Sequence, residues 1–173
     1  MPGPARLPDF KTRRLSVSDW AGISNAILIP ALRSMLTPEV LAHLPPTFAT
    51  KTSDTDLSKW ITHRRQEATT YAITRPPHPS PIGLLFVHND TANLHIGYLI
   101  APHAQRRGYA SELLHGLITA ATTQAPITLI AGVDPSNTAS VKLLQKSGFT
   151  RTRPDPDTGM HSYHHTIPRP SLP

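Results

Sequence analysis

Apolar residues recur along this chain with two different periods, and the change of period marks its elements. Ala110, Leu113, Leu114, Leu117, Ile118 and Ala121 fall on one stripe of a helix. Ile127 to Val133 is almost continuously apolar, as expected of a strand covered on both faces. Leu94 to Ile100 predicts a second strand, with Pro102 just past its end. A further helix starts after Asp134-Pro135-Ser136-Asn137 and stops at Lys146-Ser147-Gly148, where Gly148 suits a left-handed C-cap. Leu94 to Phe149 therefore reads strand, loop, helix, strand, helix.

The earlier half is less regular. Thr12 to Val17 predicts a short strand. Ser18 or Asp19 then caps a helix carrying Trp20, Ile23, Ile27 and Leu28, which Pro30 should end or kink. Thr37-Pro38-Glu39 opens a short helix with Pro38 at its first position, stopped by Leu44-Pro45-Pro46. Thr47 to Thr55 reads as a loop and Leu57 to Ala68 as a helix, with His63-Arg64-Arg65 as a solvated basic face. Thr70 to Thr74 and Ile82 to His88 predict strands, with Asn89-Asp90 starting a turn. The proline-rich Arg75 to Pro81 between them is expected to be a connection without a ladder. Two last strands, Phe149 to Arg153 and His161 to Ile167, flank a turn at Pro154 to Gly159. The expected fold class is α/β (α+β): a central mixed, mostly antiparallel sheet flanked by helices, in one domain over 1–173 with loose tails at 1–8 and 168–173.

Composition narrows the classes. The chain has 173 residues, 38% of them hydrophobic, enough for a real core. No apolar run is long enough to span a bilayer. Met1-Pro2-Gly3-Pro4-Ala5-Arg6 is not followed by the apolar region of a secretory signal, so cytoplasmic residence is expected. With no cysteine, disulfides, a thiol nucleophile and thiolate metal sites are excluded. The net charge of +6 fits nucleic acid or a polyanionic ligand. The basic residues are scattered in pairs, and only 6% of residues are aromatic, which argues against nucleic acid as the main partner.

The chemistry lies where the first of the two later helices begins. Gln105-Arg106-Arg107-Gly108-Tyr109-Ala110 leads into it. A helix N-terminus offers unpaired N–H groups and a partial positive charge to an anion. Gly108 lets backbone approach a bulky anion, and Arg106 and Arg107 add full charges. The same string, taken alone, also describes a surface turn with two solvated arginines.

Three stretches together resemble the GNAT acetyltransferase superfamily. Gln105 to Ala110 is similar to its pyrophosphate loop, Q/R-x-x-G-x-G/A. Asn137-Thr138-Ala139-Ser140-Val141-Lys142-Leu143-Leu144-Gln145-Lys146-Ser147-Gly148-Phe149 is similar to its second signature, N-x-x-S-x-x-L-L-x-K-x-G-F. Ile96-Gly97-Tyr98-Leu99-Ile100-Ala101-Pro102 resembles the strand entering the loop. The version with Ser140 and Leu144 resembles the branch that includes the ribosomal-protein N-terminal acetyltransferases. The match is close from Leu94 to Arg153 and loose from Thr12 to Asn93.

This resemblance implies an acetyl-CoA-dependent N-acetyltransferase acting on a primary amine, either a protein N-terminus or a small amine. It implies that the strands at 94–100 and 127–133 splay apart around the cofactor, with Leu99, Ile100, Gln105, Arg106, Arg107, Gly108, Tyr109, Ala110 and Asn137 on the cofactor side. Many relatives have a tyrosine acid where this chain has Leu144. In the resembling branch that role falls to the serine matched by Ser140. Many relatives have a glutamate base where this chain has His95, and histidine, titrating near pH ~6.5, can accept a proton at neutral pH.

Each residue also has a plainer reading. Asn137 can simply cap its helix. Ser140 can be a small packing residue, and His95 an ordinary sheet histidine. His161, His164 and His165 alternate across a strand with no acidic partner close by except Asp155 and Asp157, so no metal site is expected. The departures at His95 and Leu144 leave a second class open: an inactive GNAT-fold module that binds acyl-CoA or a protein partner. A monomer or homodimer without membrane contact is expected.

Overall fold

The computed structural model describes residues 6–171. Eight strands form one sheet: β1 Phe10–Lys11, β2 Ser16–Asp19, β3 Thr69–Arg75, β4 His78–Asp90, β5 Asn93–Ile100, β6 Ile127–Val133, β7 Thr150–Arg151 and β8 His161–Ile167. Their order across the sheet is β1-β2-β3-β4-β5-β6-β8-β7. Among the described residues only the β5–β6 contact is parallel. The helices are α1 Asn25–Met35, α2 Pro38–Leu41, α3 Asp54–Glu67, α4 Tyr109–Ala121 and α5 Thr138–Lys146. The expected mixed, mostly antiparallel sheet flanked by helices is therefore observed.

Strand alternation divides the core into two layers. Leu94, Ile96 and Ile100 of β5 pack with Leu113, Leu114 and Leu117 of α4 and Leu144 of α5. Leu99 faces the other way, among Leu84, Phe86, Leu32, Leu57 and Trp60. The chain thus feeds two opposed surfaces of one strand into two different helical layers.

Four local expectations change. The first strand splits into β1 and β2, joined where Thr12 N–H donates to the Leu15 carbonyl at 2.9 Å. Asp19 caps only a single 3-10 turn at Trp20–Gly22, and Pro30 does not end α1, which continues to Met35. That proline removes one N–H, the partner of the Ala26 carbonyl. The buried stripe of Leu28, Ala31, Leu32 and Met35 outweighs this loss. The segment Arg75 to Pro81 does carry a ladder, pairing Thr74 with Pro81 and Arg75 with His78 across register shifts. Residues 78–81 pair with β3 alone, so prolines there interrupt no second ladder. Finally, Leu7 is no loose tail: it is 1% exposed, and its carbonyl accepts from the buried Tyr71 hydroxyl at 2.6 Å. Residues 1–5 and 172–173 of the expected tails lie outside the described residues.

Candidate active site

The β5–β6 ladder runs from Asn93↔Thr128 to Ile96↔Ala131 and stops. The next residues of β5, Gly97 to Ile100, do not pair with Gly132 and Val133. The expected splay is therefore present. On its other edge β5 stays paired with β4 as far as Ile100↔Gly83. Ala101 N–H donates to the Ile82 carbonyl at 2.8 Å, which sets the alternation of bonded pairs. Leu99 consequently turns its N–H toward β4, while Tyr98 and Ile100 turn theirs toward the gap. The Ile100 carbonyl on the gap side accepts from Gln105 Nε2 at 2.9 Å. A cleft of about 890 Å³ opens along this gap.

One end of the cleft is the loop into α4. Arg106 has φ 61 and Gly108 φ 80, so two residues in three adopt left-handed backbone. For arginine that conformation is uncommon and marks a constrained site. Gly108 is the N-cap and places no side chain over the first turn of α4. The turn's N–H groups are left for a ligand, as an anion cradle requires. Gln105, Arg106, Gly108, Tyr109 and Ala110 all line the cleft. These residues fit a pyrophosphate-bearing cofactor.

Arg14, on the β1–β2 connection, ties this loop down. Its Nη1 donates to the Arg107 carbonyl at 3.1 Å, and its guanidinium lies 4.5 Å from the centre of the Tyr109 ring. Glu112 of α4 fixes Arg14 in turn, accepting from its Nε at 2.7 Å and its N–H at 2.6 Å. Thr12 Oγ1 donates to the same carboxylate at 2.6 Å. Burial pushes Glu112 up, but these bonds and the Arg14 charge outweigh it, and its pKa is lowered overall. In the sequence Arg13 and Arg14 are one of the scattered basic pairs. Their contact with a loop some ninety positions away leaves no local signal.

On the face of β5 that carries His95, His88 of β4 is the cross-strand neighbour, with ring centres 6.2 Å apart. His95 Nε2 lies 2.7 Å from Asp90 Oδ2, and Asn93 Nδ2 donates to Asp90 Oδ1 at 3.0 Å. The bond from His95, followed by that from Asn93, lowers the Asp90 carboxyl below its ordinary value. Asp90 was expected only as a turn residue. When His95 Nε2 carries the proton, the bond to Asp90 holds that tautomer and leaves Nδ1 as the acceptor.

Beyond His95 the cleft wall is apolar: Val40, Leu44, Pro45, Phe48 and Phe86, with His43 among them. Phe48 meets Phe86 edge to face with centroids 5.1 Å apart. Trp60 Nε1 donates to the Phe48 carbonyl at 3.0 Å. Arg64 is not solvated as expected. It is 2% exposed, its guanidinium 4.2 Å from the Phe48 ring centre, bonded to the Thr47 carbonyl at 3.2 Å and Glu67 at 2.8 Å. Its spacing from Leu57, Trp60 and Ile61 places it on the buried stripe of α3, a signal that the charged triplet hid.

Asn137 caps α5, its Oδ1 accepting the Ser140 N–H at 3.2 Å, and both residues line the cleft. Leu144 is fully buried. Tyr98, on the α5 side of β5, lines the cleft too, and its hydroxyl is buried without a hydrogen-bond partner among the described residues. Burial raises its pKa, and the Ser140 hydroxyl opposes that in part. His164 Nε2 pairs with Ser162 Oγ at 3.0 Å, and His165 Nδ1 with the Gly148 carbonyl at 3.0 Å. Among the described residues no group of three metal-ligating side chains is found. No described helix is long and apolar enough to cross a membrane.

Residues 13–150 match the sequence model of the acetyltransferase (GNAT) domain. No curated protein sequence matches the chain. Among solved structures, an acetyltransferase of the GNAT family from Bacillus anthracis superposes with a TM-score of 0.71 at 17% identity, covering 94% of this chain and 99% of that one. The ribosomal-protein-S5-alanine acetyltransferase of Vibrio fischeri gives 0.72 at 14% identity, with 92% and 96% coverage. RimL, a ribosomal L7/L12 alpha-N-protein acetyltransferase in complex with coenzyme A, gives 0.68 at 18% identity, with 95% and 99% coverage. At such identities the likeness of these structures is one of fold.

Proposed function

The chain belongs to the GNAT acetyltransferase family, and from that premise we propose that it transfers acetyl from acetyl-CoA to a primary amine by direct attack. The observation that carries this reading is the interrupted ladder after Ile96↔Ala131, open between the α4 N-terminus on one side and His95–Asp90 on the other. Acetyl-CoA supplies an acetyl thioester: the amine nitrogen forms the new C–N bond as the C–S bond breaks, and sulfur leaves as a thiolate. Gly108 to Ala110, with Arg106 and Arg107, bind the pyrophosphate. The Ile100 N–H, turned toward the gap, polarises the acyl carbonyl. His95, held by Asp90, takes a proton from the attacking amine, directly or through water. Ser140 donates toward the sulfur, and Asn137 holds the turn that presents Ser140. Arrangement of the two reactants contributes much of the rate.

The acceptor is a protein N-terminus or a small amine. The ribosomal-protein acetyltransferases among the structural neighbours support the first, and the apolar wall around Phe48 and Phe86 fits an amine on an uncharged, apolar group. The test is thiol release from acetyl-CoA across a panel of N-terminal peptides and small amines. A chain that binds acetyl-CoA but releases no thiol with any amine is the inactive acyl-CoA-binding module that Leu144 and His95 leave open.

A further inference from the structure

Tyr98 sits where β5 has parted from β6: its own N–H faces the gap, and its ring points to the layer of α4 and α5. Its hydroxyl is buried and has no partner among the described residues. A buried hydroxyl left unpaired is costly, so phenylalanine would be the more stable choice if only packing mattered. The Ser140 hydroxyl, in the first turn of α5, is near enough to offset in part the rise that burial causes in the pKa of Tyr98. The two are neighbours without meeting hydrogen-bond geometry, a looseness common at catalytic sites before substrate binds. Both line the same cleft.

We propose that Tyr98 is the positioning residue for the leaving group: its O–H donates to Ser140 Oγ, which turns the Ser140 O–H toward the CoA sulfur. This rests on the acetyltransferase reading. As the C–S bond breaks, the electron pair goes to sulfur, and the Ser140 hydrogen bond takes up that charge. The phenol, raised by burial, keeps its proton and acts as a fixed donor. The pair does the work that a single hydroxyl at the place of Leu144 would do from further along the helix.

Three measurements on the full chain test this. In steady-state kinetics, Tyr98→Phe should lower kcat about tenfold with KM for acetyl-CoA unchanged. Its melting temperature should be unchanged or higher, since an unpaired buried hydroxyl is gone. In a double-mutant cycle, Tyr98→Phe combined with Ser140→Ala should be no slower than Ser140→Ala alone, because the two hydroxyls act in series. In calorimetry at alkaline pH, wild type should bind CoA several-fold more tightly than desulfo-CoA, and Tyr98→Phe and Ser140→Ala should each lose that preference. Wild-type kcat in Tyr98→Phe, multiplicative losses in the double variant, or a CoA preference that survives Tyr98→Phe would each overturn the proposal. The calorimetric arm needs no amine, so it decides the role of Tyr98 even if no acceptor is turned over.

Discussion

His95 Nε2 and Asp90 Oδ2 lie 2.7 Å apart, at the turn end of the β4–β5 hairpin where Asp90 pairs with Asn93. A carboxylate on one nitrogen of an imidazole fixes which nitrogen is free to accept a proton. Asp90→Asn keeps the shape but can present an amide N–H to Nε2 and favour the wrong tautomer. It should lower kcat/KM by about ten- to a hundredfold without weakening acetyl-CoA binding. His95→Ala should lower kcat/KM for the same amine at least as far, again with acetyl-CoA binding intact. Equal kcat/KM in His95→Ala and wild type would leave His95 structural.

Arg14 makes a different prediction, because its contacts are with the loop and the first turn of α4. Arg14→Ala removes the bond to the Arg107 carbonyl and the stack on Tyr109. Its loss should raise KM for acetyl-CoA about tenfold with kcat nearly intact. Gly108→Val should do more. Gly108 has φ 80, and a Cβ there would stand 3.3 Å from Arg14 Nη2. Titration calorimetry with CoA checks both; an unaltered affinity in Gly108→Val would remove this loop from the cofactor site.

What the sequence showed and what it hid follow from the range of the interactions. β6, β8, α2, α4 and α5 were legible because each carries its own periodicity, cap or stop, such as Asn137 before α5 and Gly148 with φ 90 after it. The gap after Ile96 came from resemblance alone, because no property of a single strand says where its partner leaves. Asp90 looked like a turn residue and no more, while Arg14 and Arg64 were hidden for a common reason. Each is a charged residue whose partner is distant in sequence or aromatic, and charge in a local window reads as solvent. Proline stopped neither α1, where a buried stripe outweighs its cost, nor the β3–β4 ladder, where no second strand needs the N–H it lacks.

Glu112 sets an acid limit on the cofactor loop. Its folded-state pKa is lowered from the ordinary 4.5; burial raises it, but the bonds from Thr12 and Arg14 and the Arg14 charge prevail. A depressed carboxylate contributes stability that is fully present above the unfolded value and is lost as pH falls through the folded one. The melting-temperature difference between wild type and Glu112→Gln should therefore be constant from about pH 7 to about pH 5 and close below about pH 4. Because Glu112 holds Arg14, CoA binding should weaken over the same range in wild type. A difference that grows on acidification would contradict this sign.

The acceptor side is tested at Arg64. Its guanidinium is sandwiched beneath Phe48, which closes the cleft against Phe86, and it bonds the Thr47 carbonyl of the same segment. Lysine keeps the charge but cannot stack its plane or reach Thr47 and Glu67 together. Arg64→Lys should cost about 1–2 kcal/mol in stability, the scale of a desolvated cation–π contact, read from urea unfolding. The segment Pro46–Phe48 would then be less well held, although Trp60 Nε1 still bonds the Phe48 carbonyl. KM for the amine should rise several-fold while KM for acetyl-CoA stays put, since Arg64 contacts no part of the α4 loop. A change in KM for acetyl-CoA of the same size would mean that Arg64 supports the whole fold and not the acceptor wall.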